Sequence, residues 1–153
     1  MFTPRSIDLR GTLLVDAPVE KAFPLFSPLG EKDWVPEWNP ELIHPMGAIW
    51  ERGQIFLTKE ERGDALWIVT AQDREHHSAE YWRLEPDRIT ARVRVRCNEE
   101  DGERTRVEVA YRFVGLSETG NEDIAAMSEA AFDEKMLRWQ GWIGEHLART
   151  GAP

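Results

Sequence analysis

The stretch TGNEDIAAMSEAAFDEKMLRWQGWIGEHL, residues 119–147, decides how the rest of this chain is read. It opens on Thr119-x-x-Glu122, a capping-box spacing, with Asn121 as a rival cap and Asp123 in the first turn. Acids there suit the unpaired N–H groups and the positive end of a helix dipole. At about 100° per residue, Ile124, Ala125, Phe132, Met136, Trp139, Trp142, Ile143 and Leu147 share one broad arc. Asp133, Glu134, Arg138, Glu145 and Arg149 oppose them; Lys135 and His146 stand on the margin, and Leu137 is the exception. No proline interrupts the run, and Gly141 and Gly144 weaken only its last third. The spacing predicts one terminal helix of roughly 28 residues, against ~11–12 for a mean helix. So large an apolar face needs a sheet to cover it.

The preceding chain supplies one. Ile7, Leu9, Leu13 and Val15 alternate with polar residues as a half-buried first strand, in which Gly11 marks a bulge or a close approach. Asp16–Glu20 starts a short helix with Pro18 at its first position, limited by Pro24 and Pro28. Residues 29–38 add another turn or two before Pro36 and Pro40. From Glu41 onward the period is two. Leu42-Ile43, a loop with Pro45 and Gly47, then Gln54–Thr58, Leu66–Thr70, Ala79–Leu84, Ile89–Cys97 and Thr105–Phe113 read as strands, with turns at Gly63-Asp64, Asp73–His77, Glu85–Asp87 and Asn98–Gly102. Connections this short join antiparallel neighbours, since parallel crossovers need a dozen residues or more. The sheet must then curl around the terminal helix, a geometry that leaves a hollow between them.

Composition bounds the function. At 153 residues the chain is read as a single domain, 1–153, large enough for a substantial core. Nineteen basic against 28 acidic residues give a net charge of −9, which argues against nucleic acid and anionic membranes as partners. No apolar run of ~18 residues predicts a membrane span, and residues 1–11 lack the layout of a signal peptide. The single cysteine, Cys97, excludes an intrachain disulfide and fits a reducing, cytoplasmic setting.

The join VDAPVEKAF (15–23), the segment PLGEKDWVPEWNP (28–40), YWRLEP (81–86), TRVEVAY (105–111) and LSETGN (116–121) together resemble the START-like, or SRPBCC, superfamily, which shares its helix-grip fold with the birch-pollen-allergen type. The resemblance spans nearly the whole chain and implies an α+β helix-grip fold. In it, a curved antiparallel sheet of six to seven strands wraps a long C-terminal helix, with two short helices after the first strand. That superfamily holds lipid carriers, coenzyme Q-binding proteins, polyketide cyclases, chaperone-ATPase activators and hormone receptors, so fold alone does not choose a function.

The chemistry is sought residue by residue. His76 and His77 are adjacent and point apart on an extended segment, so they read as exposed hairpin polars rather than metal ligands; no metal and no cofactor are expected. Cys97 sits on the apolar parity of its strand and reads as a small buried hydrophobe. Arg88, Arg92, Arg94, Arg96, Arg104, Arg106 and Arg112 form a basic run, read as a solvated strand face balanced by neighbouring acids. Trp34 and Trp38 either rim a ligand mouth or anchor the short helices over the end of the sheet. Tyr81 and Arg83 share a strand face. If that face looks inward, Arg83 needs a carboxylate from the protein or from a ligand; if Trp82 and Leu84 look inward instead, Arg83 is a surface charge.

The favoured reading is a non-enzymatic carrier or sensor of a small hydrophobic molecule (lipid, quinone or polyketide-like) held between sheet and helix. The candidate lining is Trp34, Trp38, Phe56, Thr58, Trp67, Tyr81, Arg83, Tyr111, Phe132, Met136, Trp139 and Ile143. A second reading is an enzyme resembling polyketide cyclases or aromatases, in which Tyr81, Arg83 and Tyr111 would act on carbonyls; a buried polar group with a displaced pKa would favour it. A third is a protein-interaction module resembling chaperone-ATPase activators, its cavity filled by its own side chains. The oligomeric state stays open, a homodimer included.

Overall fold

The described residues form seven strands, β1 (Ser6–Val15), β2 (Glu41–His44), β3 (Ile55–Glu60), β4 (Gly63–Asp73), β5 (Ser78–Glu85), β6 (Ile89–Asp101) and β7 (Arg104–Gly115), and in all but β2 buried residues alternate with more exposed ones. The computed structural model describes residues 1–45, 47 and 49–150; residues 46 and 48, in the loop expected around Pro45 and Gly47, lie outside them. All pairings are antiparallel, in the order β1-β7-β6-β5-β4-β3-β2. The meander thus closes back so that the first strand pairs with the last, Leu9 opposite Tyr111 and Leu13 opposite Val107. The inward face carries Leu9, Leu13, Val15, Val69, Val93, Val95, Cys97, Val107 and Val109, all buried. Each such aliphatic side chain contributes about 1.5–3 kcal/mol by leaving water.

Between β1 and β2 lie helix α1 (Val19–Ala22) and two 3₁₀ turns, Phe23–Phe26 and Gly30–Asp33. Pro18 stands one place earlier than expected. It is the residue before the helix, extended at ψ 156°, and its carbonyl accepts from Lys21 and Ala22. The β6–β7 hairpin is longer than the acidic run 98–102 suggested. Asn98 pairs with Arg106 and Glu99 with Thr105, while Asp101 Oδ1 accepts from the amides of Glu103 and Arg104 and so sets the turn.

The terminal stretch is two helices, not one: α2 (Glu118–Ala125) and α3 (Glu129–Thr150). Three polar side chains explain the difference. Ser117, rather than Thr119 or Asn121, caps α2 by accepting from the Gly120 amide. Asn121 is occupied elsewhere, accepting from the Arg5 amide and donating to the Thr3 carbonyl. Ser128 then accepts from the Ala131 amide at 3.1 Å, a capping contact that starts a second helix.

α3 lies along β1. A methyl group on Gly11 would stand 2.6 Å from Met136 Cγ and 3.1 Å from the Phe132 ring, so this glycine is the close approach its position suggested. Gln140 Oε1 also accepts from the Leu14 amide at 2.8 Å, using a donor that the edge strand would otherwise leave free. At the far end of the sheet, Gly120 of α2 packs directly on the Arg88 carbonyl, with which a side-chain carbon would collide. Gly141 and Gly144, by contrast, face open space on α3.

Glycine substitutions should therefore separate cleanly. Gly141→Ala and Gly144→Ala are expected to stabilise the fold by about 0.5–1 kcal/mol each through helix propensity, raising the melting temperature by about 2–4 °C per kcal/mol. Gly120→Ala should cost about 3 kcal/mol, because a backbone carbonyl blocks the new methyl. Thermal unfolding of the three variants checks both signs.

Candidate functional site

The second 3₁₀ turn is built tightly. Gly30 sits so close to the Pro24 carbonyl that a Cβ would not fit, and its amide donates to Ser27 Oγ at 2.9 Å. That contact aims the next residue, Glu31, toward the space between the sheet and α3. A cavity of about 490 Å³ lies there, walled by residues 31 and 35–39, by β3 to β7, and by one side of α3.

Its walls are aromatic. Trp67 stacks on Phe56 at 5.5 Å with the rings 10° apart, and Trp38 meets both edge-on. Tyr81 closes the floor; it is buried, and its hydroxyl donates to the Phe26 carbonyl at 2.7 Å. Tyr111, Phe113, Trp139 and Trp142 complete the far wall. The face carrying Tyr81 and Arg83 is therefore the inward one, while Leu84 is exposed on the other side.

Arg83 does not wait for a ligand. It donates to Glu60 and to Glu85, both at 2.6 Å, and its guanidinium lies 5.5 Å from the Trp67 ring centroid. Burial opposes its charge, but those two hydrogen bonds hold its pKa above the ordinary arginine value. Glu85 is buried too. Desolvation would raise its pKa, yet bonds from Arg83 and Arg62 bring it below the carboxylate norm. From Arg62 the chain of charges runs on to Asp123 of α2, which also receives a two-pronged contact from Arg88. On the cavity side Glu60 accepts from Thr58, whose hydroxyl accepts from Trp67 Nε1.

Glu31 and Lys135 also face the cavity, outside this chain of charges. Desolvation pushes the Glu31 carboxyl up to about 8, against the opposing charge of Lys135. The Lys135 ammonium is brought down to about 8, first by desolvation and then by Arg83. Both side chains are half-buried, with their ends reaching the cavity. Lys135 Nζ lies 4.7 Å over the Tyr111 ring and 5.4 Å over Trp139, contacts that partly replace water around a cation. Among the described residues it forms no ion pair with a carboxylate.

Of the residues singled out in the sequence, Trp38, Phe56, Thr58, Trp67, Tyr81, Arg83, Tyr111 and Trp139 line this cavity. Trp34, Phe132, Met136 and Ile143 do not. Trp34 is an anchor: its Nε1 donates to the Leu25 carbonyl at 2.7 Å, and its ring meets Phe26 and Trp139 edge-on. Phe132 and Met136 are used up against Gly11, and Ile143 is buried in the core. The residues not anticipated include Glu31, Glu60, Lys135, Arg138 and Trp142. The signal for the last three was spacing: 135, 138, 139 and 142 form a helical i, i+3, i+4, i+7 stripe beside the most apolar arc.

Elsewhere the basic run lies on the outer face, with Arg94 paired to Glu80, Arg104 to Asp101 and Arg112 to Asp8. Cys97 is buried, and burial pushes its thiol up to about 12. His76 is exposed and paired with Asp73, and no cluster of metal-ligating side chains occurs among the described residues. No described helix is long and apolar enough to cross a membrane.

Solved structures match this architecture over nearly its full length. Norcoclaurine synthase from Thalictrum flavum superposes with a TM-score of 0.70 at 12% identity, covering 99% of this chain and 100% of that one. The Zhui aromatase/cyclase from a Streptomyces gives 0.66 at 19% identity over 98% and 99%. A ginseng major latex-like protein gives 0.68 at 14% identity over 92% and 97%. The chain has the helix-grip fold that these structures share. No protein-family model and no curated protein sequence matches it, so the likeness is one of fold.

Glu31 makes stability depend on pH in a specific sense. A carboxyl that ionises at about 8 when folded, against 4.5 ordinarily, holds its proton more tightly in the folded state. Folding stability therefore falls as pH rises from about 4.5 to about 8 and is lowered by a constant amount above that. Glu31→Gln removes this loss. In urea unfolding the variant should match the parent near pH ~4 and exceed it increasingly up to pH ~8; a pH-independent offset would show that Glu31 is solvated.

Proposed function

We propose that the protein binds a small hydrophobic molecule in the cavity between sheet and α3, acting as a carrier or sensor. The observation that carries this reading is the cavity itself: about 490 Å³, within the range of ligand sites, and walled by Trp38, Phe56, Trp67 and Trp139. A protein-interaction module with a self-filled core would not keep this space, since native interiors close-pack where nothing else is to be held. Flat or polyenic ligands suit the walls best, because offset and edge-to-face ring contacts add about 0.5–1.5 kcal/mol each beyond buried area. Structures of the same fold hold such molecules: norcoclaurine synthase is seen with dopamine and hydroxybenzaldehyde.

One observation favours the enzymatic alternative. Glu31 and Lys135 both have displaced pKa values and both face the cavity, an arrangement suited to moving protons on a bound carbonyl compound, as a cyclase-like reaction requires. The two readings part on whether the bound molecule leaves unchanged.

Native mass spectrometry of gently purified protein, followed by a thermal-shift screen of fatty acids, quinones and aromatic polyketides, tests the proposal. The expected result is a co-purified apolar molecule or a saturable melting shift that Val93→Phe, which fills the cavity floor, abolishes. Recovery of the ligand at an altered mass after incubation would favour the enzyme. An empty protein that no compound stabilises would overturn the binding reading.

A further inference from the structure

The charges around the cavity are unevenly matched, and the mismatch narrows the ligand. We propose that the natural ligand is an apolar, aromatic-bodied monoanion whose carboxylate or acidic enol sits between Lys135 and Glu31, with Tyr111 beside it. The inference rests on the binding reading above and specifies its ligand.

The argument is one of desolvation. In the open cavity the Lys135 ammonium keeps water on the side away from Tyr111 and Trp139. A hydrophobic ligand filling the space displaces that water, and an ammonium stripped of water without a counter-charge is costly to bury. Aromatic faces offset only part of this. Among the described residues, the other carboxylates lining the cavity offer no ready partner: Glu37 is exposed to water at the rim. Glu60 is engaged through both oxygens, one by Arg83 and one by Thr58, and Glu85 is held by Arg83 and Arg62. Glu31 remains, but the same desolvation favours its neutral, hydrogen-bond-donating form. An ammonium, a carboxylic acid and the Tyr111 hydroxyl then face one space as donors, and a ligand anion satisfies all three. A neutral ligand leaves the ammonium bare, while Glu60 repels a second negative charge on the ligand.

The groups facing Lys135 are Glu31 from the 3₁₀ turn, Glu60 from β3, Arg83 from β5, Tyr111 from β7, and Arg138, exposed on its own helix. Arg83 and Glu60 neutralise one another. As pH rises through about 8, Lys135 loses its proton and Glu31 loses its own, so the free charge of the cavity passes from positive to negative. Anion binding must weaken over that interval, and binding of a neutral isostere must not.

Calorimetric titration with 2-naphthoate and with its uncharged isostere 2-naphthamide reads this directly. At pH ~6 the acid should bind at least about tenfold more tightly than the amide, and the preference should vanish by pH ~10. Lys135→Met should abolish the preference, and its cooperative thermal unfolding reports that the variant is folded. Lys135→Arg, which keeps its charge, should retain the preference at pH ~6. Equal binding of acid and amide by the parent protein, or a preference that survives in Lys135→Met, would overturn the anion assignment and leave cavity binding intact. If neither compound binds, both fail.

Discussion

The contact on which the rest depends is the seating of α3 on Gly11. Met136 and Phe132 occupy the space a side chain at position 11 would need, and Gln140 fastens the same helix to the Leu14 amide of the edge strand. Among the strands it is β1 that α3 approaches most closely. The sheet curls from there through β7 and β6 toward β3. A straight helix held against one side of a curved sheet cannot also touch the other. The gap is too wide for Trp139 and Trp142 to bridge, and it persists as a cavity rather than a defect in packing.

Charge is handled differently at the two ends of that cavity. Toward α2, Asp123, Arg62, Glu85, Arg83 and Glu60 alternate in sign, each paired on both sides. Only the Arg83–Glu85 pair in this chain is well buried, and removal of either partner there strands the other charge, a loss typically of about 3–5 kcal/mol for a buried pair. This chain of charges fixes the wall formed by Trp67 and Thr58. Toward the 3₁₀ turn, Glu31 and Lys135 are left out of any such chain. A site that changes its protonation on binding needs groups free to respond, and only this end has them.

The fold was legible because sheet periodicity survives local noise. Val93, Val95 and Cys97 against Arg92, Arg94 and Arg96 could be read without knowing their partners, and the antiparallel order followed from loop lengths. The helix break was not legible. Between Ala126 and Ala130 only Ser128 departs from good helix formers, and serine inside a helix-favouring run signals a cap only weakly until its neighbours are seen. The site was half legible for a related reason. Phe56 and Trp67 declare themselves as inward aromatics, while Glu31 lies among prolines where no period exists. Lys135 and Arg138 are charges that hydrophobic patterning assigns to solvent. The parity of Tyr81 and Arg83 was undecidable locally, because each face of that strand carries one aromatic; the carboxylates of Glu60 and Glu85, brought by chain turns on either side, decide it.

The helix break also sets the orientation of the site. On an ideal helix the core stripe of α3 (Phe132, Met136, Ile143, Leu147) and its cavity stripe (Lys135, Arg138, Trp142) lie roughly 120° apart, with Trp139 between them. Were α2 and α3 one continuous helix, the buried position of Ile124 would fix the rotation of everything after it, and Ile124 is in phase with Lys135 and Trp142, not with Met136. Burying Ile124 under Arg88 and the end of β7 would then compete with seating Met136 on Gly11. The Ser128 cap resets the phase, so that each helix buries its own face. Lys135 is thereby turned away from β1 and toward the aromatic wall: a polar residue at the margin of an apolar arc becomes a cation of the cavity because two helices, rather than one, cover the sheet.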